Sequence, residues 1–588
     1  MPIIAYLRKN TKHNLNGLTA YFIKYAEISD SLSCLSILNA YNSISPQLSV
    51  QTLVVNQGEL YLNATVKGGQ TMTRQSFLKG SFILMSAGLV TRILGMINGM
   101  VLARVIGDEG VGLFMMAFPA MLLVVTLTEI GLPVAISKLV AEAQAFGNYR
   151  KIKLVLVWSL AIVSIVSVIL TTVMLLIIPI TAKYLFADTR VVYPLLAITP
   201  VIPIVAVSSV LRGYFQGIRN MKPYAFSGIV EQIVRISLVA TLANLLMPYG
   251  VAYAAAGAMI AGSAGECASL LYMLHVFKRE ERIKLKGPKR KSLRGTREIL
   301  SELLRIGLPT MGSRLISSLG NFFEPMIVSH ALVIAGFSVA TSTQLYGQLT
   351  GYAMTLLLLP SFITHALHVS LVPAVSEAYA RKSYHLIHYR LNQALRIAML
   401  TGGLSIVVTY MFAEPLMEII YDSPESAQFL YWMTPFFLIF YFQAPMHAVL
   451  QALDLAKAAM YNTLIGMIVK TAMLFVLTCR PEFGIRGTAL AICTNVVLVT
   501  VLHAVVMFKA IGFSLIIRDY IRTGILIAFS GFVAHILIQR SFTGLALLPR
   551  TFILLSLITI FYLMLALFLG LLQKEQLSQL PMIGKWFN

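Results

Sequence analysis

Charged residues are scarce in this chain. Only 12% of its 588 residues are Asp, Glu, Lys or Arg, while 57% are hydrophobic, and soluble domains carry about 25% charged residues. From Phe77 to Leu572 apolar runs follow one another with only short polar breaks, and a helix needs roughly 20 predominantly apolar residues to cross a bilayer. This pattern excludes a large soluble domain and indicates a multi-pass protein of the cell membrane.

Cysteines and catalytic motifs are also few. The cysteines Cys34, Cys267, Cys479 and Cys493 have no paired or metal-ligand spacing, which argues against a disulfide framework and a zinc site. The chain has no Walker A loop, no HExxH sequence and no GxSxG in a strand–turn–helix context. We therefore expect no enzyme activity, no cofactor and no metal, and ATP would not drive a pump of this kind directly. The sequence leaves open whether an ion is coupled to transport.

The basic residues lie in short loops beside apolar runs, so the net charge of +22 is better explained by orientation in the membrane than by binding of nucleic acid. The segment "KREERIKLKGPKRKSLRGTRE" (residues 278–298) and the other even-numbered loops are basic, whereas "IGDEGVG", "AKYLFADTR" and "EPLMEIIYDSPES" are neutral or acidic. The positive-inside rule then places both termini in the cytoplasm. Recruitment of anionic lipid is a second interpretation of 278–298.

The apolar region predicts an all-α polytopic membrane protein with about 14 transmembrane helices, because continuous apolar runs of this length exclude a barrel. Gly, Pro and charge clusters mark the boundaries. The predicted spans are residues 77–105, 112–140, 153–181, 190–211, 223–248, 252–277, 299–329, 336–366, 391–420, 428–450, 458–478, 486–509, 513–538 and 549–572.

An internal repeat divides these spans into two six-helix halves. A shift of 235 residues, from Pro200 to Pro435, superimposes a Thr-Pro pair, a Gln and two basic positions. Six is even, so the repeats are parallel, and transporters built from such repeats place their site between the halves. The predicted organisation is an N-terminal extension at 1–71, a first half at 72–277, a basic cytoplasmic linker at 278–298, a second half at 299–512, two additional helices at 513–572 and a cytoplasmic tail at 573–588.

Ionisable side chains within the spans are the candidate cavity residues, because each costs at least ~2.5–3.5 kcal/mol near the bilayer centre. Arg92 and Arg314 lie early in the first helix of each half and lack an obvious partner. The planar guanidinium group of an arginine can donate two parallel hydrogen bonds to a phosphate. Glu129 either neutralises Arg92 or carries a proton. The other candidates in the spans are Glu231, Arg235, Glu324 and Lys470.

Three further expectations concern these spans. Glu231 and Arg235 are one helical turn apart and can neutralise each other. His365 and His368 are expected to be helix-end groups rather than a proton relay. Prolines kink helices, and the hinge candidates for alternating access are Pro200, Pro203, Pro309 and Pro435.

Four segments resemble the polysaccharide-flippase branch of the superfamily that also contains multidrug and toxin extruders: "LVTRILGMINGMVLARVIGDEGVGLFMMAFP", "TEIGLPVAISKLVAEA", "VLRGYFQG" and "LVPAVSEAYARKSY". The resemblance covers about residues 72–572. It implies outward transport of an undecaprenyl-pyrophosphate-linked saccharide, here a precursor of spore-cortex peptidoglycan. The implied partners are membrane lipids, with wall-synthesis enzymes as further candidates.

A related branch, the lipid II flippases, has cavity arginines on its first helix. "TRILG" carries this pattern to Arg92 and "LARVIG" carries a second basic match to Arg104, while Glu129 in "TEIGLP" falls at an acidic position. Asn98-Gly99 stands where those flippases have an Arg-Asp pair, which argues against lipid II transport through the same contacts.

Two alternative functions are a cation-coupled multidrug antiporter and a non-transporting scaffold for wall-synthesis enzymes. Many such antiporters use an acid on the first helix, and no Asp or Glu occurs between Phe77 and Val105. A scaffold would be expected to have large soluble loops, and the chain has none.

The first 71 residues contain no spanning run, no signal-peptide layout and no helix or strand pattern that persists. The junction "KGGQTM" ends at Met72 and is compatible with a ribosome-binding sequence in the gene. We therefore expect translation to start at Met72.

Overall fold

The computed structural model describes residues 48–56, 59–66, 74–218, 220–279, 296–512, 516–542 and 544–571. The expected start at Met72, residues 280–295 of the predicted linker and the predicted tail at 573–588 lie outside the described residues.

A β-hairpin precedes the helices. Strand β1 (Leu48–Asn56) pairs antiparallel with β2 (Glu59–Val66), in a register that runs from Leu48 opposite Val66 to Asn56 opposite Glu59. The prediction that no strand pattern persists before residue 72 was therefore wrong. Both segments are rich in Val, Leu and Thr, which favour strands, but a shift in register between Val50 and Thr52 interrupts the simple alternation on which the prediction relied.

The rest of the described chain is helical, as predicted. The helices are α1 (Arg74–Glu129), α2 (Leu132–Ala145), α3 (Tyr149–Tyr184), α4 (Val192–Ile198), α5 (Val201–Gly217), α6 (Met221–Leu246), α7 (Val251–Arg279), α8 (Thr296–Ile334), α9 (Val339–Gly347), α10 (Met354–Leu358), α11 (Ser361–Ala380), α12 (Tyr384–Met411), α13 (Ala413–Tyr421), α14 (Ala427–Ala452), α15 (Ala456–Thr478), α16 (Ile485–Ile511), α17 (Ile517–Arg540) and α18 (Leu547–Phe568). A π-helical segment (Gln348–Ala353) joins α9 to α10.

Ten of the described helical segments are long and apolar enough to cross a membrane, or twelve if each of two bent pairs forms one span. The first of the ten, Ser86–Gln144, is 59 residues long, about three times the roughly 20 residues that one crossing needs at 1.5 Å per residue. Helix α8 is not among the twelve. The total of fourteen spans stays a prediction.

Breaks in the helices do not all fall where the sequence placed them. Helix α1 kinks at Gly107, whose φ of 65° is a conformation that glycine adopts without strain. The predicted span 112–140 is interrupted at Ile130 and Gly131, both with positive φ, so it is not one continuous helix. The pair α4 and α5 bends by 41° around Pro200, and the helices on either side of Pro360 bend by 54°.

Glycines allow two close helix crossings. A Cβ at Gly265 of α7 would lie 2.8 Å from the carbonyl oxygen of Glu231 on α6, so these two helices pack closely at Gly265. A Cβ at Gly112 of α1 would overlap the carbonyl oxygen of Thr343 on α9, and one at Gly347 would lie 2.5 Å from the Gly112 nitrogen. This second crossing joins the two predicted halves.

Candidate functional site

A cavity of about 440 Å³ opens between α1, α5, α6 and α10. Its charged lining residues are Arg92, Arg212 and Glu231. Glycines on α1 leave space there, since a Cβ at Gly88 or Gly95 would meet no atom within 4 Å. The remaining lining residues are Ala87, Gly88, Thr91, Gly95, Met96, Tyr224, Ala225, Ser227, Gly228, Thr355 and Leu359.

The arginines of the cavity have unused hydrogen-bonding capacity. Arg212 Nη2 donates to Glu266 Oε2 at 2.8 Å, but its Nε is buried and has no acceptor in the described part of the chain. Arg92 is exposed and forms no ion pair or hydrogen bond with any described residue. Buried polar groups are nearly always hydrogen-bonded in native proteins, so unfilled guanidinium donors in a cavity favour an anionic ligand.

Ion pairs surround this cavity. Arg235 Nη2 donates to Glu231 Oε1 at 2.5 Å, as the i,i+4 spacing predicted, and the Nε of Arg235 is also buried without an acceptor among the described residues. Arg314 Nη1 contacts Glu129 Oε2 at 3.2 Å. The Glu129 carboxylate also interacts electrostatically with Arg212 and with Glu266.

The resulting cluster joins helices of both predicted halves. It contains four arginines and three glutamates, a formal excess of one positive charge. The expectation that Arg314 lacks a partner was wrong, because the break after α1 brings Glu129 within reach of α8. Its members are Arg92, Arg212, Arg235, Arg314, Glu129, Glu231 and Glu266.

Three predicted cavity residues lie elsewhere. Arg104 Nη2 donates to the Ile419 carbonyl at 2.6 Å, because the part of α1 around residue 104 packs near α13. Glu324 of α8 and Lys470 of α15 form a 2.6 Å ion pair with side chains 13% and 10% exposed. Each of these two charges is neutralised by the other, and neither side chain lines the cavity.

The hinge candidates differ in their surroundings. Pro200 lies at the 41° bend and Pro203 in the first turn of α5, whereas Pro309 and Pro435 lie within α8 and α14, which continue through them. Pro360, at the larger bend, was not among the predicted hinges. Their role as hinges stays a prediction.

Sequence reasoning also missed Arg212 and the role of Glu266. Arg212 was interpreted as part of a basic loop, but α5 extends to Gly217 and carries it into the helix. A signal was available: Arg212 directly follows the predicted span 190–211, and Glu266, of opposite charge, lies inside the predicted span 252–277.

A second polar cluster lies around Asp108. Its carboxylate accepts hydrogen bonds from Gln348 Nε2 at 2.6 Å, from Tyr352 Oη at 2.7 Å and from Ser423 Oγ at 3.2 Å. Glu425 Oε1 shares two of these donors, at 3.1 Å from Gln348 Nε2 and 2.9 Å from Ser423 Oγ. The π-helical segment supplies Gln348 and Tyr352, and such segments often occur at functional sites.

Asp188 extends this cluster. It is 2% exposed, binds Arg190 at 2.8 Å and accepts a hydrogen bond from Thr343 Oγ1 at 3.0 Å. Arg190 also pairs with Glu109 at 2.6 Å. We call the end of the helical bundle around Asp108, Asp188, Gln348 and Ser423 the closed end. The other end, where the cavity opens, is the cavity end. The acidic loops that served only to predict orientation thus meet in one network.

Comparisons with known proteins identify the family of this chain. Residues 77–379 match the family model described as polysaccharide biosynthesis protein, and residues 348–476 match the MatE model. Stage V sporulation protein B of Bacillus subtilis (strain 168) is 49% identical over 514 residues, which cover 87% of this chain and 99% of that protein. The lipid II flippase MurJ of the same organism is 24% identical over 420 residues, 67% of this chain and 76% of that protein.

The fold also has a solved counterpart. A multidrug resistance MATE family transporter of the MOP superfamily, in an inward-facing conformation, aligns with a TM-score of 0.60 at 16% identity, covering 74% of this chain and 98% of that one. The predicted all-α membrane fold and the resemblance to the flippase branch are both confirmed.

Proposed function

Since the chain belongs to the polysaccharide biosynthesis protein family and is a membrane transporter rather than an enzyme, we propose that it is a flippase for an undecaprenyl-pyrophosphate-linked saccharide. The product would be a precursor of spore-cortex peptidoglycan, moved to the outer leaflet of the cell membrane. The similarity to the stage V sporulation protein supports the cortex role.

The observation that carries the proposal is the pair of incompletely satisfied arginines in the cavity. Arg92 has no partner among the described residues, and Arg212 retains a buried Nε without an acceptor. A pyrophosphate offers several oxygens to such planar forks and stays charged throughout transport. The glutamates limit the excess charge to about one, which favours binding that is reversible.

Alternating access follows from the contrast between the two ends. By the positive-inside rule the acidic loops of the closed end face outward, so the cavity end faces the cytoplasm. Helix α5, which carries Arg212, ends at Gly217, and α6, which carries Glu231, begins at Met221 with the basic Lys222 in its first turn. The conformation seen here would therefore receive the substrate from the cytoplasmic leaflet.

Rocking of the two halves, 72–277 and 299–512, would then release it outward. Pro200 and Pro203 remain the proposed hinges of the first half. We propose that both termini are cytoplasmic and that any wall-synthesis enzyme binds outside these two halves, where α17 and α18 lie.

The test uses the purified protein in liposomes that carry a fluorescent undecaprenyl-pyrophosphate disaccharide, with a membrane-impermeant quencher reporting the outer leaflet. We expect the protein to speed the exchange of this lipid between leaflets. In depleted sporulating cells we expect the precursor to accumulate on the cytoplasmic leaflet. Absence of both effects would contradict a flippase.

A multidrug antiporter is the second candidate, because the MatE match and the fold are shared with exporters of that kind. It predicts cation-dependent efflux of a dye from the same liposomes, with no effect on the lipid. A scaffold predicts neither activity.

A further inference from the structure

Four histidines form a continuous row across three helices. The ring centroids of His365 and His368 on α11 are 6.1 Å apart. The ring of His447 on α14 lies 5.7 Å from that of His368 and 5.8 Å from that of His503 on α16. From the sequence, His365 and His368 were expected to be helix-end groups. The fold brings them next to His447 and His503, which lie far along the chain. We call these four residues the histidine row.

The histidine row begins beside the cavity. His365 lies six residues after Leu359, which lines the cavity, and the 54° bend at Pro360 separates the two. His447 and His503 lie in the last third of α14 and α16, so the row crosses the cavity end of the second predicted half. A change in the spacing of these rings would act directly on the bent helix that borders the cavity.

The row runs from an exposed ring to a buried one. His365 is exposed, while His503 is 3% exposed. The amide Nδ2 of Asn462 on α15 lies 3.1 Å from Nδ1 of His503. The direction of this hydrogen bond depends on the tautomer of His503 and on which end of the Asn462 amide faces the ring. Protonation at Nδ1 makes the ring the donor in this contact, so the Asn462 amide must then present its oxygen.

No acid among the described residues forms an ion pair with a histidine of the row. Three acids of the surrounding helices are paired with other cations: Glu377 with Arg381 at 2.9 Å, Glu324 with Lys470 at 2.6 Å, and Asp519 with Arg396 at 3.8 Å. The other charged or histidine side chains on described helices packed against the row are Glu298, Glu302, Arg305, Arg314, His330, His385, His388, Arg390, Glu414, Glu418, Lys457, Arg486 and Lys509, with Asp454 following α14.

Like charges on neighbouring rings repel strongly in a medium of low dielectric constant. The close spacing of the rings therefore fits a row that carries few protons in this conformation. Further protons favour a conformation in which α11 separates from α14 and α16.

We propose that the histidine row is a proton-binding switch that sets the conformation of the cavity end: proton uptake disfavours the conformation seen here and moves α11 relative to α16. The purpose of the switch rests on the proposed transport function, but the switch can be detected whether or not the protein moves lipid. Histidine is the side chain whose charge ordinarily changes between about pH 5 and pH 8, which is the range in which the switch operates.

The experiment measures the distance between spin labels at Ser370→Cys on α11 and Lys509→Cys on α16, in full-length protein with its native cysteines replaced and reconstituted in nanodiscs. Both positions are exposed. A proton whose affinity differs about tenfold between two states shifts their ratio by up to about tenfold. We therefore expect a second distance population to grow on the order of tenfold between about pH 8 and pH 5.5.

The row variants are His447→Gln, which interrupts the row, and His368→Gln with His447→Gln. Both should abolish the pH response, while His275→Gln, an exposed histidine on α7, should retain it. A pH response that persists in the double variant, or one that is missing in the unaltered protein, overturns the switch. A response to Zn²⁺ but not to acid identifies a metal site and also overturns it.

Lipid exchange in liposomes keeps the two proposals apart. A protein that exchanges lipid but shows no pH-dependent distance disproves the switch and leaves the flippase. A protein that shows the pH-dependent distance but moves no lipid disproves the flippase and leaves the switch.

Discussion

The two ends of the helical bundle differ in how the predicted halves meet. At the closed end one apolar cluster of buried side chains contains residues of both halves, from Leu102 and Ile106 to Tyr352 and Tyr421. At the cavity end the buried side chains form two clusters, one around Val155, to which the second half contributes only Ile299 and Leu303, and one around Val449, which lies within the second half. Close van der Waals packing holds helices together in a membrane, so the two halves are held together more extensively at the closed end than at the cavity end.

The polar groups of the two ends differ in the same sense. The Asp108 carboxylate has accepted three strong hydrogen bonds, whereas Arg92 and Arg212 retain unused donors. A polar network whose hydrogen bonds are all formed holds two surfaces together, whereas a network with free donors can bind a ligand. A transporter needs these two states to exchange between its ends, and each prediction below changes one side of that comparison.

The largest effect is expected from a wedge at the closed end. Gly112→Leu places a branched side chain where a single Cβ already overlaps the Thr343 carbonyl, and overpacking of this kind costs about 1–3 kcal/mol or more. We expect the closed end to open and Ser423→Cys to become labelled by an impermeant thiol reagent at least about tenfold faster. Gly524→Leu on α17, where no atom lies within 4 Å of the added Cβ, is the matched control. Unchanged labelling in Gly112→Leu would contradict a glycine-dependent closure.

The next effect concerns stability rather than transport. Lys470→Met leaves Glu324 buried without its partner, which typically costs about 3–5 kcal/mol. The double variant Glu324→Gln with Lys470→Met should recover most of that loss, because no uncompensated charge remains. Thermal unfolding in detergent measures both. If the double variant were stable but inactive in lipid exchange, the pair would belong to the binding site after all.

Loss of a cavity arginine is expected to affect transport alone. Arg92→Ala removes charge-assisted hydrogen bonds to the pyrophosphate, worth about 1.5–3 kcal/mol or about 10–100-fold in lipid exchange. Arg92→Lys should restore only part of the activity, because an ammonium cannot form the bidentate contact. Arg381→Ala removes an exposed cation that is paired with Glu377 and should leave exchange unchanged. Normal exchange in Arg92→Ala would contradict its assignment as a ligand.

The sequence identified the cavity arginine Arg92 and the pair of Glu231 and Arg235 because both follow from local rules: an ionisable group in an apolar helix, and an i,i+4 spacing. It missed the pairing of Arg314 with Glu129 because that depends on the break at Ile130 and Gly131, which has only a weak sequence signal. It misplaced Glu324, Lys470 and Arg104, since periodicity cannot tell which helices become neighbours. The histidine row was missed for the same reason, as its members come from three helices.

The smallest effect is expected from the closed-end carboxylate itself. Asp108→Asn keeps the size of the side chain but replaces one acceptor oxygen by a donor, so the contacts with Gln348 and Ser423 on Oδ2 weaken while that of Tyr352 on Oδ1 persists. In the Ser423→Cys background the contact with Gln348 remains on Oδ2, and weakening it by part of the ~1.5 kcal/mol of one charge-assisted hydrogen bond should raise labelling by less than about tenfold, which is less than for Gly112→Leu. Glu425→Gln should change labelling less still, because Gln348 then still bonds to Asp108. If Glu425→Gln instead opened the closed end more than Asp108→Asn, the acid that holds the halves together would be Glu425, and the closure would depend on the second half rather than on α1.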